Sequence, residues 1–319
     1  MLGAASFVRM RVSARAVVML LLLAALWGSS YLFIKIAVED GLSPSFIAFG
    51  RLALGALVLV PVAARNGTLR AVRGHGGTVA FLGAVQLAGP FLLITVGEHW
   101  ISSSLAGILV ASVPIFIAIL ALRLDSDERS AGTQLLGVGA GIVGVALLLG
   151  IDVGTGGLEL VGALLVLLAG VGYAVAALVL KRRLGDVQPV AMAAAAISAA
   201  AAYLLVPAAV TFPTSAPSLG AAAALGVLGV GGTGIAFLLF YTLVAQVGPA
   251  RASIVAYLAP GFAVFYGVTV RDEVVTVWAL VGLALVLGGS WLASRPRPVP
   301  RGIESAPAAI CRTTREPAT

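Results

Sequence analysis

Charged residues are scarce in this chain of 319 residues, since Lys, Arg, Asp and Glu make up 10% of it and hydrophobic residues 60%. A soluble domain carries roughly 25% charged residues. No soluble fold of this length could bury so much apolar surface, so the composition predicts a polytopic membrane protein. Each spanning helix needs about 20 apolar residues, and ten such helices fit into the chain with short loops.

Chemically reactive side chains are scarce as well. The chain has one cysteine, Cys311, and two histidines, His75 and His99, and none of them lies in an apolar run. A single cysteine excludes a disulfide framework. A membrane-embedded enzyme needs a nucleophile with its base, or a set of metal ligands, within its spans. The sequence therefore predicts no catalytic residue, no metal site and no cofactor, and it has no GxxxxGK[ST] phosphate loop.

Long apolar runs are abundant. They fall at about 17–38, 45–64, 78–96, 101–122, 133–150, 159–180, 189–210, 219–245, 252–270 and 274–293, with Gly or Pro in nearly every gap. The first run follows several arginines, as in a signal peptide, but it is too long for such a peptide and lacks a clean cleavage site. We therefore predict that this run is retained as the first helix.

The basic residues predict how these runs are oriented. A net charge of +7 and a pI near 10.2 would also suit a partner of nucleic acid. With ten helices and the N-terminus inside, however, most of the 20 basic residues fall on the inner side. These are Arg9, Arg11, Arg15, Arg65, Arg70, Arg73, Arg123, Arg129, Lys181, Arg182, Arg183, Arg251, Arg295, Arg297, Arg301, Arg312 and Arg315. The positive-inside rule then predicts a cell-membrane protein with both termini cytoplasmic and no nucleic-acid partner.

An internal repeat has an offset of about 145 residues. The matching pairs are Gly28 with Gly170, Tyr31 with Tyr173, Pro44 with Pro189, Pro61 with Pro207, Pro114 with Pro260, and Asp127-Glu128 with Asp272-Glu273. Each unit holds five helices, an odd number, so the second unit must be inserted upside down. We predict an all-α membrane protein of ten transmembrane helices in two inverted five-helix repeats, an arrangement typical of transporters. The predicted segments are a tail at 1–16, repeats at 17–150 and 151–293, and a disordered tail at 294–319.

Several short motifs recur in a fixed order. The first two runs contain Trp27-Gly28, Lys35, Pro44, Phe49, Arg51 and Gly55, while Leu105-Ala106-Gly107 precedes Pro114 and Ala252-Ser253 precedes Pro260. In this order the chain resembles the EamA-like family of the drug/metabolite transporter superfamily over roughly residues 17–293. The resemblance implies ten helices, a central cavity and transport of small metabolites, commonly export of amino acids or toxic compounds. Ser126-Asp127-Glu128 and Arg271-Asp272-Glu273 depart from the Leu-Gly-Glu that is usual in the family.

Two cations within apolar runs are the first candidates for a substrate site. Placing each at mid-depth costs on the order of 2.5–3.5 kcal/mol, so a functional role is the working hypothesis. Lys35 either reaches the interface and pairs with Glu39, or serves as a cavity cation for an anionic substrate group. Arg51 is either a structural clamp or a substrate contact.

Uncharged residues complete the predicted substrate-binding set: Trp27, Ser30, Tyr31, Gln86, Tyr173, Thr233, Tyr241 and Tyr257. Gln86 and Thr233 lie where Gly and Pro interrupt the third and eighth runs at corresponding places. Paired interruptions indicate a transporter site, although glycines also serve close helix packing. Tyr31 and Tyr173 hold equivalent places in the two repeats, so we expect both to point inward. For the other tyrosines the alternative is an interfacial aromatic belt.

Prolines and acidic residues offer further hypotheses. Pro114 and Pro260 are expected in mid-helix, where each removes a backbone hydrogen bond, so they are either fixed kinks or hinges for alternating access. Glu98 and His99 could form a proton-linked gate. We instead expect them in a solvated loop.

The glycines Gly139, Gly141 and Gly144 spell GxGxxG, but within an apolar run and without a preceding strand, so they do not predict a dinucleotide site. We interpret the stretch as close packing through small residues, as with Gly137 and Gly141, and this helix or the tenth could also form a dimer contact. The chain could thus be a monomer or a homodimer.

Together these features predict a secondary transporter of small metabolites, amino acids or related polar or amphipathic compounds. We expect an exporter that works by alternating access between inverted repeats, with a small-molecule substrate and the lipid bilayer as partners. An importer of the same fold and a non-transporting accessory protein are the alternatives.

Overall fold

The computed structural model describes residues 13–124, 132–152, 157–183 and 188–294, and within these ranges every regular element is a helix. The apolar helices are α1 (Ala14–Glu39), α2 (Pro44–Arg65), α3 (Gly76–Gly97), α4 (Ser103–Ala121), α5 (Thr133–Gly150), α6 (Gly157–Arg183), α7 (Pro189–Val210), α8 (Leu219–Val247), α9 (Val255–Arg271) and α10 (Val277–Ala293). Short helical turns at Thr68–Val72 and Pro249–Ala252 join neighbours. Most of both predicted tails, with Cys311, and the Ser126-Asp127-Glu128 stretch lie outside the described residues.

Eight of these helices, α1 to α8, are long and apolar enough to cross a membrane. Helices α9 and α10 are apolar but have only 17 residues each. At 1.5 Å per residue, 17 residues reach about 25 Å, a little less than a typical hydrocarbon core of about 30 Å. The described chain is therefore an all-helical, multi-pass membrane protein, as its composition predicted.

Hydroxyl side chains begin many of the helices. Ser13, Ser43, Ser102, Ser218 and Thr276 each accept a hydrogen bond from the backbone amide three residues on, at the starts of α1, α2, α4, α8 and α10. Such caps satisfy amides that have no partner within the helix. The short polar gaps between apolar runs therefore define where the helices start.

The first half of the bundle, α1 to α5, and the second half, α6 to α10, contact each other reciprocally. Helix α1 packs on α9 as α6 packs on α4, and α2 packs on α8 as α7 packs on α3. Likewise, α1 packs on α8 as α6 packs on α3. Helix α2 also packs directly on α7, its counterpart in the repeat. Each helix of one half thus contacts its partners in the other half as its repeat-mate does.

Gly141 and Gly144 of the GxGxxG stretch, with the neighbouring Gly137, serve helix packing within the chain. A Cβ atom at Gly137 would stand 2.6 Å from the backbone oxygen of Gly289, and one at Gly144 would stand 2.9 Å from that of Gly282. Gly139 has open space around it. The prediction of packing through small residues is therefore confirmed, with α10 as the partner of α5.

The two ends of the bundle differ in charge. One end, called here the Glu98 end, holds the acidic residues Glu39, Asp40, Glu98 and Glu273. Two basic side chains also lie there: Arg271 pairs with Glu39, and Lys35 binds backbone oxygens beside Glu98. At the opposite end lie the described basic residues Arg15, Arg65, Arg70, Arg73 and Arg251. This segregation matches the asymmetry on which the predicted orientation rests.

Candidate functional site

The guanidinium group of Arg51 lies at the centre of the candidate site, 7% exposed. Its Nε donates a hydrogen bond to Thr233 Oγ1 at 3.0 Å, and its Nη2 donates to Ser30 Oγ at 3.3 Å. The guanidinium carbon also lies 4.0 Å from the ring centroid of Phe91, a cation–π distance. Residues of α1, α2, α3 and α8, from both halves of the bundle, therefore meet at one buried cation. We call Arg51, Ser30, Thr233 and Phe91 the Arg51 cluster.

Two stretches of π-helix lie beside this cluster. Gly83–Ala88 in α3 contains Gln86, and Val227–Ile235 in α8 contains Thr233. Both coincide with the interruptions that the sequence placed at corresponding positions of the two halves. π-helical turns are frequent at functional sites because they loosen the regular backbone ladder.

Small residues allow Thr233 to reach Arg51. A Cβ atom at Gly55 of α2 would stand 2.6 Å from Thr233 Cγ2, and one at Gly232 would stand 3.0 Å from Ser30 Oγ. The Thr233 hydroxyl donates its proton to the backbone oxygen of Leu228 at 2.9 Å. Its oxygen is thereby oriented to accept the hydrogen bond from Arg51.

Two tyrosines lie near the cluster. Electrostatic interactions connect Arg51 with Tyr31 and Tyr173, and Tyr31 with Tyr173. The Tyr31 ring packs against Gly107, where a Cβ atom would stand 3.3 Å from Tyr31 Cδ2. The two tyrosines that match in the repeat are therefore brought together from α1 and α6.

The remaining predicted substrate contacts are dispersed. Trp27 packs on Phe240 with ring centroids 5.4 Å apart, and Tyr241 packs on the same ring at 5.4 Å, which forms a separate aromatic group of α1 and α8. The Tyr257 hydroxyl donates to Ser294 Oγ at 3.3 Å, near the basic end. Gln86 is half-buried in its π segment and is not among the described partners of Arg51.

Lys35 does not pair with Glu39, so that alternative was wrong. Its Nζ donates to the backbone oxygens of Glu98 at 2.7 Å and Ile101 at 3.1 Å, whereas Glu39 pairs with Arg271. Carbonyl groups at the end of a helix carry partial negative charge that attracts a cation. Lys35 therefore binds the C-terminal end of α3.

The expectation that Glu98 lies in a solvated loop was also wrong. Glu98 directly follows α3 and is 0% exposed, although His99 beside it is exposed. Burial raises the pKa of the Glu98 carboxyl well above its usual range, with Glu273 adding to the rise and Lys35 and Arg51 opposing it. The sequence signal was Gly97, since a Cβ there would stand 2.7 Å from the Gly162 oxygen and this close approach of α6 covers the turn.

Glu273 caps the first turn of α4 from the other half of the bundle. Its Oε1 accepts from the Ser103 amide at 2.9 Å and hydroxyl at 2.8 Å, and its Oε2 from the Ser104 amide at 2.9 Å and hydroxyl at 2.5 Å. Partial burial raises the pKa of Glu273, but the hydrogen bonds from Ser104 and Ser103 outweigh it and hold the pKa below its usual range. Sequence reasoning did not identify this contact, because it joins residues 170 positions apart.

The two prolines differ in their surroundings. Helix α4 is broken at residues 111–112, so Pro114 lies in the first turn of Val113–Leu124, and the expectation of a mid-helix position was wrong there. A proline in the first helical turn removes no hydrogen bond that the helix would make. Pro260 lies inside the continuous helix α9 and is buried.

A recess of about 250 Å³ opens at the Glu98 end between residues 40–43 and 211–217. Its walls are neutral apart from Asp40, whose carboxylate accepts a hydrogen bond from the Ser218 amide at 3.1 Å. Across the described residues, no group of three or more His, Cys, Asp or Glu could hold a metal ion. The chemistry that remains is that of a buried cation among hydroxyl and aromatic groups.

Comparison with known proteins shows the family to which the fold belongs. The family model described as EamA-like transporter family matches residues 14–150 and again residues 160–295. An uncharacterized inner membrane transporter YedA of Escherichia coli (strain K12) is 30% identical over 269 residues, which are 81% of this chain and 84% of that protein. An uncharacterized transporter YoaV of Bacillus subtilis (strain 168) is 22% identical over 271 residues, which are 84% of this chain and 92% of that protein.

A solved crystal structure shares the fold. The two structures superpose with a TM-score of 0.63 at 21% sequence identity. The match covers 88% of this chain and 97% of the solved chain. The two matches of one family model confirm the internal repeat. The transporter names of the relatives agree with the predicted absence of enzymatic chemistry.

Proposed function

Because the chain belongs to the EamA-like transporter family, we propose that it is a secondary exporter of small polar metabolites, amino acids or related compounds. It is a membrane transporter rather than an enzyme. The observation that carries the proposal is the Arg51 cluster, where side chains of both halves converge on a buried cation beside a π-helical segment.

The charge of Arg51 favours an anionic group on the substrate. Its described hydrogen-bond partners are two neutral hydroxyl oxygens, while a guanidinium group has five N–H donors. A carboxylate or phosphate would take the remaining donors and offset the cost of a buried charge. Tyr31 and Tyr173 then contribute aromatic walls and hydroxyl groups to the same site.

The direction of access follows from the charged ends. Positive residues collect on the cytoplasmic side, so the Glu98 end faces outward and both termini lie inside. Ten helices in two inverted repeats agree with the reciprocal contacts of the two halves. Two such repeats can exchange conformations, which opens the Arg51 cluster first to one side and then to the other. The break before Pro114 and the buried Pro260 are the places at which α4 and α9 would bend.

The test is thermal stability of the purified protein against a panel of amino acids, nucleosides, sugars and cationic drugs. A ligand that binds the folded state raises its apparent stability by mass action. We expect an acidic or zwitterionic compound to stabilise the wild type and the control Arg251→Ala, which changes an exposed arginine, but not Arg51→Met. A ligand that stabilises Arg51→Met as well would place the site elsewhere, and no hit at all would favour the accessory-protein alternative.

A further inference from the structure

The Glu98 carboxyl group takes no part in the Arg51 cluster, and it is buried in an unusual way. The residue is 0% exposed. Neither of its carboxylate oxygens has a hydrogen-bond partner among the described residues. An ionised carboxylate that is buried without partners is strongly destabilising. In this conformation the group must therefore be neutral or bind a cation.

The neighbouring charges do not supply the missing partner. The ionisable groups that interact electrostatically with Glu98 are Lys35 and Tyr31 on α1, Arg51 on α2 and Glu273 ahead of α10. His99 is next in the chain and exposed, and Glu159 at the start of the facing helix α6 is also exposed. Lys35 directs its amine to the backbone oxygens of Glu98 and Ile101. Arg51 donates to the hydroxyls of Ser30 and Thr233. Both cations thus donate their described hydrogen bonds to atoms other than the Glu98 carboxyl oxygens.

A second carboxylate nearby shows the opposite environment. Glu273 interacts electrostatically with Glu98, and four hydrogen bonds from the first turn of α4 favour its ionised form. Two neighbouring carboxyl groups whose surroundings favour opposite protonation states are the usual sign of an acid and its fixed counterpart. The surroundings therefore favour the neutral form of Glu98 and the ionised form of Glu273.

The same region closes the Glu98 end. Glu273 ties the loop after α9 to α4, and the ion pair of Arg271 with Glu39 ties the end of α9 to α1. Glu98 is buried at the same end and interacts electrostatically with Glu273. Parting them would admit water to Glu98, and an exposed glutamate ionises at neutral pH because its ordinary pKa is about 4.3.

We propose that Glu98 is a proton-binding site, and that the Glu98 end closes only when a proton is bound to the Glu98 carboxyl group. Closing takes up one proton from water and opening returns it. If the proposed transport function holds, this proton is the ion coupled to the movement of substrate. The binding of the proton itself does not depend on that function.

Infrared spectroscopy tests the proposal without any transport assay. A protonated carboxyl group absorbs separately from a carboxylate, so the purified protein at neutral pH should show one protonated-carboxyl band. We expect the band to be lost in Glu98→Gln and to persist in Glu159→Gln and His99→Gln, which change exposed groups on the same side. Its persistence in Glu98→Gln, or its absence from the wild type, would overturn the proposal.

Isotope labelling covers the case in which Glu98→Gln does not fold. Wild-type protein made with ¹³C-labelled glutamate should show the protonated band shifted relative to unlabelled protein. A carboxylate spectrum that titrates only in the ordinary range of exposed acids would show that Glu98 is ionised and held by a cation, which contradicts the proposal. Because these spectra report proton binding alone, a failure of the ligand panel leaves their meaning unchanged.

Discussion

The two halves of this protein share their packing but not their chemistry. Gly83 in the first half packs against α7, where a Cβ would stand 3.0 Å from the Ala196 oxygen, and Gly229 in the second half packs against Leu54 of α2. Arg51, however, has Ala196 as its counterpart at an offset of 145 residues. Lys35, Arg51 and Glu98 all belong to the first half.

The difference shows what each kind of residue does. Helix packing in a membrane depends on small residues that let backbones approach closely, and the repeat preserves these in both halves. A buried charge is costly and is needed at only one place. The second half therefore contributes neutral partners to the cation of the first, such as Thr233 and Tyr173.

The largest expected effect comes from removing the charge that only one half has. We expect Arg51→Met to lower substrate affinity by about tenfold to a hundredfold, since a hydrogen bond to a charged group contributes roughly 1.5–3 kcal/mol. Arg51→Lys should recover only part of this, because lysine lacks the planar fork of donors. Binding measured on folded protein of equal stability checks the prediction, and full binding by Arg51→Met would assign Arg51 to a structural clamp.

Substituting the reciprocal glycines tests the shared packing. Gly83→Leu and Gly229→Leu should each lower stability by a similar amount, about 1–3 kcal/mol, because each inserts a side chain into a close helix contact. Gly139→Leu, which enters open space, is the matched control and should leave the melting temperature nearly unchanged. A large loss of stability for one glycine and none for its counterpart would show that the two corresponding helix contacts do not contribute equally to stability.

The two glutamates at the Glu98 end should give opposite pH dependences. Because the pKa of Glu98 is raised in the folded protein, its contribution to the free energy of unfolding is full below the unfolded pKa of about 4.3. That contribution is lost as pH rises toward the folded pKa. A lowered pKa at Glu273 means that its contribution is present above that value and is lost as pH falls through the folded pKa. In a plot of melting temperature against pH, Glu98→Gln should reduce the fall on the alkaline side and Glu273→Gln the fall on the acidic side. A single variant that reduces both falls would contradict this separation.

The smallest effect is expected at the exposed ion pair of Arg271 and Glu39. Glu39→Gln should change stability by about 0–1 kcal/mol, because exposed pairs gain little and salt screens them. The difference from wild type should shrink further as the salt concentration rises. A loss of several kcal/mol that ignores salt would mean that this pair closes the Glu98 end more strongly than its exposure allows.

Much of the fold could be predicted because membrane helices follow simple local rules. The apolar runs set the helices, and Ser or Thr before a run marks a start, as at Ser43 and Thr276. The paired interruptions at Gln86 and Thr233 could also be predicted, because Gly and Pro change local backbone preferences. Helix length followed less directly from the sequence, because α9 and α10 have 17 residues each and are shorter than the apolar runs 252–270 and 274–293.

The contacts of the site were harder to predict because they are long-range. Sequence patterns identified Arg51 and Thr233 separately, but 182 residues separate the two partners of that hydrogen bond. For Lys35 the sequence offers its near neighbour Glu39 as one of two alternatives, whereas a partner that it has in the structure lies 63 residues away. Glu98 was placed in solvent because it ends an apolar run, and only the packing of α6 shows that the turn is covered.

The most direct test of the central claim is whether the Arg51 cluster is reached by solvent and substrate or is solid core. Ser30→Cys should be made in a Cys311→Ser background and treated with a small thiol reagent in membranes. Ser290→Cys, which changes a serine that is also buried, in α10, is the control. We predict that Ser30→Cys reacts, that a stabilising ligand protects it, and that the control stays inert. If both cysteines stay inert, Arg51 is a structural clamp, and the proposed site is wrong.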